Sequence, residues 1–198
     1  DITAPEDFVE QAAQLQQTWQ LAHRKIITLA STHAPEEHQL LTELKATLQA
    51  DPSLLCIVVP RHPERFDEVF QVAEQLGLNV KRRSLQQAVD ANTQVYLADS
   101  MGELWLWYAL SQVAYVGGSL NEPGGGHNIL EPVALGVATV LGKNYFNFQQ
   151  IVDEFVNKLT CQLGWLGDCL YFLNKFLQIN RLICFGFKIA LRFGELFF

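Results

Sequence analysis

Short apolar runs alternate with longer amphipathic stretches along the first three quarters of the chain. Residues 26–30, 54–59, 78–81, 94–98, 113–116 and 137–141 are brief runs of mainly aliphatic residues, the size of strands buried on both faces. Between them, residues 3–22, 35–50, 66–77 and 145–155 have the mixed pattern of helices, residues 99–104 start another that carries Trp105, Trp107 and Tyr108, and a further helix is expected after His127 and Asn128. Thr3 as cap, Pro5, Glu6 and Asp7 make a helix start, and Pro35, Glu36 and Glu37 make another. Gly77 is placed to end the third helix as a C′ glycine. Strand and helix alternating at short spacing predict an α/β fold, a Rossmann-like doubly wound parallel sheet. Right-handed crossovers bring every strand-to-helix loop to one edge of such a sheet, the edge at which open α/β sheets bind ligands.

The longest of these loops interrupts the pattern most. Between the apolar run 113–116 and Pro132 it reads Gly117-Gly118-Ser119-Leu120-Asn121-Glu122-Pro123-Gly124-Gly125-Gly126-His127-Asn128-Ile129-Leu130-Glu131. Glycines allow φ > 0 and bring backbone N–H groups close to a ligand, and the N–H groups of a following helix favour an anion. The loop is therefore expected to face a phosphate. A plain flexible connection is the competing reading, but it has no need of the Ser119 hydroxyl, the His127 ring, or Glu131 one helical turn beyond His127.

Other strand ends carry further candidates. Ser31, Thr32 and His33 follow the first strand, where Ser31 and Thr32 either cap a helix or meet a ligand. Arg61 and Arg65 follow the second, and either hold a phosphate or carboxylate through their planar guanidinium forks or pair with neighbours in a solvated turn. Met101, Gly102 and Glu103 follow the fourth; Glu103 either caps the next helix or accepts from a ligand donor. Trp105, Trp107 and Tyr108 are read as core in preference to a stacking platform. His33, Arg61, Glu103, Ser119 and His127 are expected to converge along the one edge.

Composition narrows the class. A chain of 198 residues suffices for one well-buried domain, and a formal net charge of -7 argues against a nucleic-acid partner. Cys56, Cys161, Cys169 and Cys184 form no C-x-x-C pair and no zinc-ligand spacing with histidine, so reduced thiols are expected. No signal peptide opens the sequence, and Asp1 in place of methionine is what a processed or excised piece would show.

The motifs together resemble a known family. Ser31-Thr32-His33 with Glu36-Glu37, Pro60-Arg61-His62-Pro63-Glu64-Arg65-Phe66, Asp99-Ser100-Met101-Gly102-Glu103-Leu104, Val116-Gly117-Gly118-Ser119-Leu120, Gly125-Gly126-His127-Asn128, Leu130-Glu131-Pro132 and Phe146-Asn147-Phe148 look like the carboxyl-terminal half of the bacterial lipid A Kdo transferases. These inverting enzymes move 3-deoxy-D-manno-octulosonic acid (Kdo) from CMP-Kdo to a lipid A precursor in lipopolysaccharide biosynthesis. The loop departs from the family pattern in being one residue longer before His127, with Pro123 and a third glycine. The resemblance implies the second domain of a GT-B glycosyltransferase, spanning residues 1–156, that binds CMP-Kdo and uses no metal or other cofactor. It implies that acceptor binding and the catalytic base lie in the other domain, so that this chain alone transfers nothing. It also implies a parent enzyme associated with the cytoplasmic face of the inner membrane, and a soluble fragment.

Carried over by motif, Gly117, Gly118, Ser119, Gly125, Gly126, His127 and Asn128 would face the donor phosphate and Kdo. Glu131 would accept from the ribose hydroxyls, and Arg61, Met101, Gly102 and Glu103 would surround the cytidine, with Ser31 and His33 at the same site. A GT-B enzyme using a UDP-sugar and a non-catalytic module that docks on a membrane or partner are the alternatives.

Residues 157–198 leave the likeness. Asn174, Gln178, Arg181, Lys188, Arg192 and Glu195 recur at near-helical intervals on an apolar background. A helix packed on the domain, an interfacial helix on an anionic bilayer, and a stretch foreign to the family, such as a shifted reading frame, all fit that pattern. Its charges break any run long enough to span a bilayer.

Overall fold

A computed structural model describes residues 2–160 and 188–190. Seven strands form one sheet: β1 (Lys25–Thr32), β2 (Leu54–Pro60), β3 (Val80–Arg82), β4 (Val95–Leu97), β5 (Val113–Val116), β6 (Ala138–Leu141) and β7 (Lys188–Ala190), in the order β3-β4-β2-β1-β5-β6-β7. Neighbours among β1 to β6 pair in parallel, and β7 pairs antiparallel with β6. The helices are α1 (Glu6–Thr18), α2 (Glu36–Ala50), α3 (Phe66–Gln75), α4 (Leu104–Leu110), α5 (Leu130–Ala134) and α6 (Gln149–Thr160). Among the described residues no helix is long and apolar enough to cross a membrane.

Strand β2 shows why the short apolar runs carry so much of the fold. Its seven residues are all buried, and their side chains divide alternately between the two faces. Cys56 and Val58 pack with Leu41 and Leu44 of α2 and Val69 of α3. Leu55 and Ile57 pack on the other face with Ala12 of α1 and with Leu106 and Trp107 of α4. A strand covered on both sides has no polar face to display, hence the unbroken aliphatic sequence. Trp107 and Tyr108 are fully buried, so the aromatic run is core.

The helix bounds differ from expectation where caps were assumed. α1 begins at Glu6 behind Pro5, and no side chain caps it; Thr3 makes no such bond. α1 ends at Thr18, with a separate 3₁₀ turn at Leu21–His23. Gly77 does close α3, at φ 73°, with Leu78 N–H donating to the Ala73 carbonyl. α5 starts at Leu130 and has only five residues. α6 runs from Gln149 across position 157 to Thr160, and residues 188–190 are extended, not helical. The remainder of the expected tail helix lies outside the described residues.

The chain passes from β1 to β2 and on to β3 at the edge, steps back to insert β4 between them, then returns to place β5 and β6 on the other side of β1. The strand order therefore reverses between β1 and β5. The crevice at that reversal is where doubly wound sheets bind ligands.

Candidate functional site

The glycine loop after β5 and the turn after β1 meet at this crevice, and the group that joins them is Glu36, in the first turn of α2. Its carboxylate is fully buried. Oε1 accepts from the N–H groups of Ser119 at 3.1 Å and Leu120 at 3.0 Å and from the Tyr115 hydroxyl. Oε2 accepts from Gly118 N–H at 2.9 Å and His33 N–H at 3.0 Å. Three successive loop N–H groups thus enclose an anion, as glycine-rich loops tend to do. The anion belongs to the protein itself.

This corrects the expected direct role of the loop in holding phosphate. The N–H groups of Gly118 and Ser119 are committed to Glu36, and Gly117 N–H continues the sheet to the Ala30 carbonyl at 2.7 Å. Gly125 N–H donates to the Asn144 carbonyl, and Gly126 N–H to that of Gly118. The Ser119 hydroxyl is buried, donating to the Val116 carbonyl and accepting from Gly142 N–H. These residues shape the crevice through backbone geometry. At Gly117 a Cβ would stand 2.5 Å from the Ser31 carbonyl oxygen and 2.8 Å from Glu36 Oε2, so no side chain fits there. Among the described residues, the N–H groups of His127 and Asn128 have no protein acceptor.

His33 and His127 face each other across the crevice, their Nε2 atoms 2.7 Å apart and their rings stacked at 10°. One ring must carry its proton on Nε2 and the other on Nδ1, because one nitrogen donates and the other accepts. Burial lowers the pKa of His33. Burial, with His33 and Arg61 adding to it, pushes His127 down to about 4. His62 lies edge-on to His33 with ring centroids 5.0 Å apart. Arg61 is exposed and has no carboxylate partner among the described residues. Arg65 takes the competing reading: its guanidinium pairs with buried Glu37 at 2.7 Å and with Glu68.

Ser31 sits at φ 51°, where the β1 pairing with β2 shifts register between Ala30 and Thr32. Neither it nor Thr32 caps α2, whose N-cap is Pro35. Glu131 is half-buried in α5, its carboxylate without a hydrogen-bond partner among the described residues, and burial raises its pKa. Asn128 Oδ1 accepts from Leu130 N–H at 3.0 Å and so opens α5. Met101 and Gly102 are exposed at the end of β4.

Glu103 spends its carboxylate within the protein. It occupies the N-cap position of α4 without capping it, and its carboxylate takes both Arg83 contacts, at 2.7 and 3.1 Å, together with the Ser100 hydroxyl. Burial would raise its pKa, but the hydrogen bonds from Arg83 and Ser100 hold it below the ordinary range. Arg83 escapes sequence reasoning altogether, and Glu36 reads there as a helix opener only. For Arg83 no local signal exists, since its partner is 20 residues away.

The sequence matches no protein-family model. It is 41% identical over 156 residues to the 3-deoxy-D-manno-octulosonic acid transferase of Haemophilus influenzae, covering 79% of this chain and 36% of that protein. The Bordetella pertussis enzyme of the same name is 37% identical over 137 residues, covering 67% of this chain and 32% of the relative. The chain thus spans about a third of the length of these relatives. Among solved structures, the C-terminal CMP-Kdo binding domain of WaaA from Acinetobacter baumannii is similar at 65% identity and a TM-score of 0.77, over 77% of this chain and 79% of that one.

Proposed function

Since the chain belongs to the 3-deoxy-D-manno-octulosonic acid transferase family, we propose that it is the donor-binding domain of such an enzyme and holds CMP-Kdo at the crevice between β1 and β5. What carries this reading is the 65% identity to a CMP-Kdo binding domain, sustained over most of both chains. The relatives do not favour a UDP-sugar enzyme or a non-catalytic docking module. Glycosyl transfer from CMP-Kdo breaks the bond between Kdo and the phosphate, and negative charge grows on the departing CMP. Groups aimed at that charge stabilise the transition state more than the ground state.

Arg61, the His33–His127 pair and the N–H groups of His127 and Asn128 are the groups proposed to meet the phosphate and Kdo. Glu131 accepts from the ribose hydroxyls, and Met101 and Gly102 border the cytosine. Gly117, Gly118, Ser119, Gly125 and Gly126 act by letting the backbone close up beneath the ligand, with Ser31 as the contact under Gly117. No metal or cofactor enters this scheme. The lipid A acceptor, the catalytic base and the attachment of the parent enzyme to the cytoplasmic face of the inner membrane belong to the part of the relatives' length that this chain does not span. Titration calorimetry of the chain with CMP and with a UDP-sugar tests the reading. Binding of CMP in preference to the UDP-sugar is expected; no heat with CMP beside clear binding of the UDP-sugar would overturn it.

A further inference from the structure

We propose that Glu36 is a positioning residue for the donor site, its buried carboxylate tying the turn after β1 to the glycine loop after β5 and thereby fixing His33 against His127. The inference rests on the donor-domain reading for its effect on CMP, and on geometry alone for its effect on the histidines.

Two segments far apart in sequence converge on one oxygen. Oε2 takes His33 N–H and Gly118 N–H together, so the backbone that carries the His33 ring is anchored to the backbone on which the His127 ring rests. A Cβ on Gly118 would stand 3.1 Å from two atoms of the His127 ring and 3.6 Å from that of His33. Oε1 meanwhile holds the next two loop N–H groups and Tyr115 of β5. The ring pair therefore depends on the carboxylate: without it, the loop and the turn keep the strand-end bond from Gly117 N–H to the Ala30 carbonyl but lose the two bonds Oε2 makes beside the rings, and the pairing falls to the Nε2 hydrogen bond at 2.7 Å and the ring stacking.

The arrangement calls for a carboxylate in particular. Five donors point at it, and a carboxylate offers acceptor sites only. A glutamine of the same shape would turn an NH₂ group toward either the His33 and Gly118 pair or the three donors on the other side, leaving buried N–H groups opposed by another donor. An aspartate keeps the charge but is one methylene too short to reach both segments.

The test uses the full chain, with Glu36→Gln and Glu36→Asp beside the wild type. Ring-nitrogen NMR of the ligand-free protein should show His33 and His127 in opposite tautomers in the wild type, and both rings in solvent-averaged tautomers in each variant. CMP affinity should fall about tenfold or more, the scale of one charge-assisted hydrogen bond. Paired tautomers persisting in a folded variant would overturn the proposal, as would disrupted pairing with unchanged CMP affinity. If the wild type itself fails to bind CMP, the donor-domain reading fails and the tautomer result alone judges Glu36. Should Glu36→Gln not fold, Glu36→Asp decides; unfolding of both would assign Glu36 to global stability and overturn the positioning role.

Discussion

At the scale of single residues, the site divides into groups already committed within the protein and groups with acceptors or donors to spare. Glu131 is in the second class, half-buried and unpartnered among the described residues. Glu131→Ala should weaken CMP binding by about 1–3 kcal/mol if it accepts from the ribose, measured by calorimetry; an unchanged affinity would make it a residue of the helix turn only. His127 gives a pH prediction. An unfolded histidine takes up its proton near pH 6.5 and His127 in the folded chain only at about 4, so between these values the unfolded state holds more protons. Stability contributed by the neutral ring is fully present above about 6.5 and is lost as the pH falls toward 4. Thermal midpoints over this window should drop more steeply for the wild type than for His127→Gln. The histidines and Arg61 were legible as residue types following strands. The commitment of Glu36 was not, because the hydrogen bonds that define it join residues 82 to 84 positions apart. Glu103 and Arg65 each left a ligand and a protein partner open for a related reason: a charged group at a strand end looks the same whether its partner is a ligand or another part of the chain.

At the scale of elements, the strands were the most legible part. Double-sided burial leaves β2 no polar position and β1 only Thr28 within its aliphatic run 26–30, and those runs delimit the two strands to within a residue or two. The helix starts were less so, since α1 and α2 both begin behind a proline without a side-chain cap. The helix expected after His127 and Asn128 is present as α5, but its start at Leu130 was less legible because much of the loop before it is organised by contacts to Glu36, Asn144 and Gly118, not by local propensity. At the crevice, Gly117 of the β5 loop lies so near Ser31 and Thr32 at the end of β1 that an added Cβ would stand 2.5 and 2.7 Å from their backbone atoms. Gly117→Ala would drive a methyl into backbone that cannot rotate away. We expect it to destabilise the fold by about 2–3 kcal/mol in urea denaturation, as a steric effect in packed backbone. A stability within error of wild type would mean that the two strand ends can separate at little cost.

At the scale of the whole molecule, the six parallel strands open one crevice, the proposed donor site. The relatives are about twice as long as this chain, whose matched part covers 36% and 32% of two of them. Mixed with CMP-Kdo and a lipid A precursor, this chain should bind the donor and release no free CMP beyond the rate of spontaneous hydrolysis. Turnover by the chain alone would place the base among its own carboxylates. The glycine loop has a consequence for inhibitors. Because Glu36 fills the loop from within, a compound built mainly around a phosphate mimic aimed at those amides would meet a negative charge instead of a vacancy. Selective molecules should direct an anion toward Arg61 and a donor-rich ring toward Glu131, and leave the amides of Gly118 to Leu120 alone.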